Sequence, residues 1–118
     1  MDALERLQVW QRACRFSVST FKLLAECREY AFRDQLARSS LSVPSNVAEG
    51  YERRAPRERA QFLKIAKGSC GEARTQLLIG VQAGILDRER AMFLASEAKQ
   101  ISKMIGGLIR HFENQNCQ

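Results

Sequence analysis

The chain has 118 residues, which is enough for one domain and too short for two. Its net charge of +6, carried by 14 arginines and 5 lysines against 13 acidic residues, hints at an anionic partner, because the flat guanidinium fork suits phosphate. No stretch approaches the roughly 20 apolar residues of a membrane span, and the start of the chain lacks the basic and apolar segments of an export signal, so we expect a cytoplasmic protein without a membrane partner.

The first predicted helix spans residues 3–27 and has a wide apolar face. Two neighbouring rows of apolar and small side chains recur at steps of three and four residues, and a polar row lies opposite them. The rows are Leu7, Trp10, Cys14, Phe21 and Leu24, and then Val9, Ala13, Phe16, Thr20, Leu23 and Cys27. Together they cover roughly half of the circumference. Such a face suits a bundle helix that also contacts another subunit.

The second predicted helix, residues 32–53, contains a proline that allows two interpretations. The first is one helix that continues through Pro44 and bends there, because proline removes the hydrogen bond to Ser40. The second is a new helix with Ser42 as its N-cap and Pro44 harmlessly in its first turn. The apolar residues continue at helical spacing across Pro44, which favours one bent helix without excluding the other interpretation. These residues are Phe32, Leu36, Val43, Val47 and Tyr51.

The third and fourth predicted helices span residues 56–83 and 87–113. Pro56 suits the first turn of a helix, Gly84 suits a left-handed C-cap, and Asp87 suits an N-cap. The last helix has a coiled-coil-like seam, formed by Leu94, Ala98, Ile101, Ile105, Leu108 and Phe112. Four long helices with short connections predict an all-α, antiparallel up-down-up-down four-helix bundle over residues 1–118.

Residues that could support catalysis or bind a metal are sparse. His111 is the only histidine, and Cys14, Cys27, Cys70 and Cys117 have no metal-binding or redox spacing. No Glu-x-x-His motif and no glycine-rich phosphate loop occurs. We therefore expect no enzymatic activity, no cofactor and no metal, and thiols that stay reduced.

A basic cluster is the most informative feature of the surface. It lies around the turn between the second and third predicted helices and consists of Arg53, Arg54, Arg57, Arg59, Lys64 and Lys67. One interpretation is a solvated loop and helix face. The other is a phosphate-binding rim, which the symmetry of an oligomer would repeat into a ring. Since no aromatic residues alternate with these arginines, contact with the nucleic-acid backbone is favoured over base stacking.

Asn46 and Glu49 attract attention because they lie among small apolar neighbours, but both have a structural interpretation. The Asn46 amide can bind a carbonyl freed by Pro44 or one on a neighbouring helix. Glu49 can pair with Arg53 one helical turn later.

The stretch "QLARSSLSVPSNVAEG", followed by "FLKIAKGSCGEARTQL", resembles the signature of a family of small four-helix-bundle proteins. Its members include proteins encoded in intervening sequences of bacterial large-subunit ribosomal RNA genes, and the accessory variability determinants of diversity-generating retroelements. The opening "LQVWQRA" is also similar to the family's start. The most specific positions are Gln35, Arg38, Ser42, Pro44, Asn46, Ala48, Glu49 and Gly50. In the third predicted helix they are Phe62, Leu63, Ala66, Gly68, Ser69, Glu72, Gln76 and Leu77.

This resemblance implies a helix that bends at Pro44 and a ring-shaped homopentamer with a basic surface, without enzymatic activity. For the retroelement members it also implies binding to nucleic acid and to a reverse transcriptase. Ala37 departs from the family, whose members commonly have a basic residue before Arg38. Our leading hypothesis is an oligomeric scaffold that binds RNA or DNA through phosphate contacts. The alternative is a protein-interaction bundle, for example a reverse-transcriptase accessory, that does not bind nucleic acid directly.

Overall fold

The computed structural model describes residues 2–116, and every regular element in that range is a helix. This result confirms the all-α prediction. The five helices are α1 Ala3–Arg6, α2 Gln8–Leu24, α3 Tyr30–Glu52, α4 Pro56–Gln82 and α5 Arg88–Asn116.

The expected first helix over residues 3–27 is divided into α1 and α2, so the prediction of one continuous helix is wrong. Asp2 and Glu5 form a capping box, in which the Glu5 N–H donates to Asp2 Oδ1 at 2.9 Å. Leu7 then adopts an extended conformation, with ψ at 116°, and its side chain packs against the core. The Gln11 side-chain amide donates to the Glu5 carbonyl and satisfies it at the break. No glycine or proline marks this position in the sequence.

Helix α3 continues through Pro44 without interruption. The interpretation of Ser42 as the N-cap of a separate helix is therefore wrong, since the chain is already helical from Tyr30 onwards. Pro44 is buried, and it cannot donate the backbone hydrogen bond that a helical residue at this position would make to Ser40. A bend at Pro44 stays a prediction.

The predicted helix ends at Pro56, Gly84 and Asp87 are confirmed, whereas α5 runs to Asn116 and so extends beyond the predicted end at residue 113. Ala55 is extended and Pro56 is the first residue of α4. Gly84 has a φ of 72°, the left-handed conformation that lets the chain leave α4. The Arg90 N–H donates to Asp87 Oδ2 at 2.9 Å, which makes Asp87 a capping residue of α5.

One apolar core lies between the long helices, and α4 packs against both α3 and α5 while α2 packs against the same two helices. The predicted apolar rows supply most of its members. The fully buried large side chains of the core include Leu36, Val43, Val47, Leu63, Leu77, Ile101 and Ile105.

The end of α3 packs closely against the start of α4. A β-carbon on Gly50 would lie 3.3 Å from the Arg59 carbonyl oxygen and from Phe62 Cβ. At the other end of the pair, a β-carbon on Gly80 would lie 2.8 Å from Phe32 Cζ. The absence of a side chain at these two glycines allows the helices to approach closely.

Among the described residues, no helix is both long enough and apolar enough to cross a membrane.

Candidate functional site

The six cations of the predicted basic cluster lie in the connection between α3 and α4, which begins with the C-cap residue Arg53, and in the first half of α4. The structure divides them into two groups. Arg53, Arg59 and Lys64 have partners within the chain. Arg54, Arg57 and Lys67 are exposed.

Arg53 has two partners, one on α3 and one on α4. Its guanidinium pairs with the Glu49 carboxylate, which confirms the predicted ion pair. The same guanidinium lies over the Phe62 ring, 4.8 Å from the ring centroid. Because the Glu49 carboxylate already neutralises its charge, Arg53 should bind an external anion more weakly than an unpaired arginine would.

Arg59 connects three helices. Its Nε donates to the Arg53 carbonyl oxygen at 2.7 Å. Its guanidinium carbon lies 5.3 Å from the Tyr51 ring centroid and 5.4 Å from that of Phe112 on α5. Burial raises the pKa of the Tyr51 phenol, and the nearby Arg59 charge opposes that shift. These contacts give Arg59 a structural role.

Lys64 pairs with Glu113 across α4 and α5, with Lys64 Nζ 3.0 Å from Glu113 Oε2. Both side chains are about half exposed. An ion pair of this kind is screened by water and stabilises little.

Arg54, Arg57 and Lys67, which we call the basic rim, make no ion pair with any residue in the range 2–116. Arg57 lies in the first turn of α4, where the helix already favours anions over cations. A cation in this position is therefore not explained by helix stability. The three side chains can contact an anion from outside the chain.

The motif around Pro44 forms a hydrogen-bonded link between α3 and α4. The Asn46 amide donates to the Ser42 carbonyl oxygen and to Ser42 Oγ, both at 2.9 Å. Ser42 Oγ lies 2.8 Å from Ser69 Oγ on α4. Asn46 was expected to bind a carbonyl freed by Pro44 or one on another helix. It binds the Ser42 carbonyl, one turn earlier on α3. Asn46 reaches α4 through the Ser42 hydroxyl instead.

The other motif residues separate into buried and exposed positions. Pro44 and Gly50 are buried, whereas Gln35, Arg38 and Glu49 are exposed. The buried members hold α3 against its neighbours, and the exposed members face solvent in the single chain.

His111 is exposed, with its Nε2 3.1 Å from the Gln115 side-chain nitrogen and its ring 5.1 Å from that of Phe112. No group of three or more His, Cys, Asp or Glu residues within the described range could hold a metal ion. Burial raises the pKa of the Cys70 thiol to about 12, and it also raises the pKa of Cys14. Both thiols therefore stay protonated and weakly nucleophilic at neutral pH. Cys117 lies outside the described residues.

Sequence reasoning missed the contacts between residues far apart in the chain. Arg12 on α2 forms two hydrogen bonds with Glu97 on α5, Nε to Oε1 and a terminal nitrogen to Oε2, each at 2.9 Å. These bonds lower the pKa of Glu97 and raise that of Arg12. The aromatic partners of Arg53 and Arg59 were missed for the same reason. From the sequence alone, Arg12 is recognisable only as a member of the polar row opposite the apolar face of the first predicted helix.

Comparisons with known proteins place this arrangement in context. A family model described as 23S rRNA-intervening sequence protein matches residues 5–107. A solved structure is similar in fold: the crystal structure of a protein of unknown function from the S23 ribosomal protein family of Bacteroides thetaiotaomicron. The TM-score is 0.80 at 22% sequence identity, over 86% of this chain and 97% of that chain. The search of curated proteins found no match.

Proposed function

Because the chain belongs to the 23S rRNA-intervening sequence protein family, we propose that it is a cytoplasmic, non-catalytic scaffold that binds RNA or DNA through phosphate contacts. In this proposal the subunits form a ring-like homopentamer, and the basic rim is repeated around the ring. Backbone contacts carry no sequence information, so binding is independent of base sequence.

The observation that carries the proposal is the basic rim. Arg54, Arg57 and Lys67 are exposed and have no acidic partner in the part of the chain that the structure describes. Arg54 and Arg57 lie three residues apart and repel each other, and a phosphate backbone would relieve that repulsion. Glu58 is the one acidic residue in the sequence between Arg54 and Lys67, and it forms no ion pair with these cations in the described range.

Exposed apolar side chains on α2 and α5 support self-association. Val18 and Phe21 on α2 are 54% and 48% exposed, and Phe93 on α5 is 65% exposed. Helix α2 belongs to the first predicted helix, which was expected to contact another subunit. Exposed apolar surface of this kind is stabilised when it is buried between chains.

The proposed bundle is antiparallel, up-down-up-down, with α3 bent at Pro44. Contacts that join late α3 to early α4, and Lys64 of α4 to Glu113 late in α5, support opposite directions for neighbouring helices. Such an arrangement places Arg54 and Arg57 at one end of the molecule, with Lys67 about 15 Å further along α4.

Nucleic-acid binding is tested with the variant R54A/R57A. Fluorescence anisotropy of a labelled RNA of about 20 nucleotides, at several salt concentrations, measures the affinity. We expect weaker binding and a slope of log affinity against log salt that is shallower by about two. The control R28A/R88A removes the same charge from exposed residues elsewhere. Equal effects of the two variants would contradict a specific role of the rim.

Self-association is tested by light scattering at micromolar concentration. The proposal predicts a mass that is a multiple of the 13.4 kDa chain, with fivefold as the expected value. A mass of one chain would rule out the ring.

We also propose an alternative, in which the chain binds a protein such as a reverse transcriptase and does not contact nucleic acid. The intramolecular contacts of Arg53, Arg59 and Lys64 favour it, because they remove half of the predicted cluster from external binding. This alternative predicts no RNA retention at physiological salt and recovery of a protein partner in pull-downs.

A further inference from the structure

The groove between α4 and α5 has a second set of cations, outside the predicted cluster of residues 53–67. Its volume is about 300 Å³, and its lining includes Arg74 from α4 and Lys99 and Lys103 from α5, together with Gly71 and Ser102. All three cations are exposed. No Asp or Glu is among the residues of the described range that line this groove. Positive charge therefore borders the groove from both helices.

Lys67 and Arg110 extend this border towards the basic rim. Lys67 Cε lies 3.4 Å from the position that a β-carbon on Gly106 would occupy. One terminal nitrogen of Arg110 lies 3.6 Å from the same position. Because glycine has no side chain, the aliphatic stem of Lys67 can cross α5 here while its ammonium stays in water. Lys67 thus lies between the rest of the rim and the residues that line the groove.

We call the five cations Lys67, Arg74, Lys99, Lys103 and Arg110 the basic groove. None of them forms an ion pair with any residue between positions 2 and 116. On α5, Glu113 is matched by Lys64 and Glu97 by Arg12. Glu72 of α4 is not among the described residues that line the groove. Five unmatched like charges on two packed helices repel each other, so an anion bound between them is stabilised.

The cations are distributed along a line. On α5, Lys99 and Arg110 are about 16 Å apart at the helical rise of 1.5 Å per residue. A compact phosphate compound needs donors that converge on one point, whereas this row matches a chain of negative charges. Consecutive phosphates of one nucleic-acid strand form such a chain, and a positively charged groove can follow the strand's backbone.

We propose that the basic groove binds consecutive phosphates of one nucleic-acid strand and continues the path that begins at the basic rim. This inference rests on the proposed function and deepens it by naming the route of the strand. No aromatic side chain lines the groove in the described part of the chain, so the bases do not stack there and the contact does not depend on sequence.

The test compares R74Q/K99Q/K103Q with the control K22Q/R28Q/R88Q, which loses the same charge from exposed positions away from the groove. Binding of a labelled single-stranded RNA of about 20 nucleotides is measured by anisotropy over a range of salt. For the groove variant we expect a slope of log affinity against log salt that is shallower by about two, since each phosphate contact on a single strand contributes about 0.7. For the control we expect a nearly unchanged slope. Circular dichroism checks that both variants fold, and K99Q/K103Q repeats the test with fewer changes.

Each outcome separates the two proposals. If the groove variant binds like the control while R54A/R57A loses binding, the groove inference is wrong and the proposed function stands. If the unmodified protein retains no RNA, both are wrong. If polyglutamate displaces the labelled RNA as well as unlabelled RNA of equal charge does, the groove binds acidic polypeptides and the nucleic-acid assignment is overturned.

Discussion

Arg59 shows how a cation in a basic cluster can serve the fold. It was predicted to bind phosphate because of its neighbours in the sequence, yet its guanidinium lies near Tyr51 and Phe112, and its Nε binds the Arg53 carbonyl. Contacts one helical turn apart, such as Glu49 with Arg53, are predictable from sequence because helix geometry fixes them. Contacts between distant helices are not, since they depend on which helix faces pack together.

The Arg12–Glu97 pair leads to a prediction about pH. Arg12 holds the pKa of Glu97 below its ordinary value, so the pair stabilises the folded state above that ordinary pKa and loses this effect as the pH falls through the folded pKa. At neutral pH, E97Q should lower the free energy of unfolding by about 1 kcal/mol, a value already reduced for partial exposure. Urea unfolding at pH 7 and at about pH 3 measures the difference, which should shrink in acid.

The control for this prediction is D34N, which removes the more exposed pair between Arg33 and Asp34. That pair should contribute no measurable stability. If E97Q lowers the free energy of unfolding by the same amount at both pH values, the ionised carboxylate is not the cause of the difference.

At the scale of helices, the sequence predicted long periodic elements well and interruptions poorly. The ends at Pro56, Gly84 and Asp87 were predictable because each residue type satisfies a known requirement of a helix end. The break at Leu7 was not, because leucine has no such preference and the break depends on the capping of α1 and the packing of Leu7.

Two glycines in α4 should respond in opposite ways to the same substitution. A β-carbon on Gly80 would lie 2.5 Å from Leu86 Cδ1 and 2.8 Å from Phe32 Cζ, whereas one on Gly68 would have no neighbour within 4 Å. G80A should therefore lower the free energy of unfolding by about 1 kcal/mol, since overpacking exceeds the gain in helix propensity. G68A should raise it by about 0.5–1 kcal/mol. Denaturant unfolding measures both, and shifts in the same direction would contradict the packing of α4.

At the scale of the whole molecule, the described part of the chain measures 50 × 27 × 22 Å. The basic rim extends from Arg54, in the connection between α3 and α4, into the first half of α4, and the basic groove leads away from it between α4 and α5. The sequence revealed the rim because its members are close neighbours in the chain. It did not reveal the groove, because Arg74, Lys99 and Lys103 come together only when α4 packs against α5.

The salt dependence of RNA affinity for the unmodified protein tests the central claim most directly. If the rim and the groove bind phosphates, log affinity falls linearly with log salt, by on the order of 10³-fold between about 50 and 200 mM. An affinity that does not change over this range, or no binding at the lowest salt, would contradict the account.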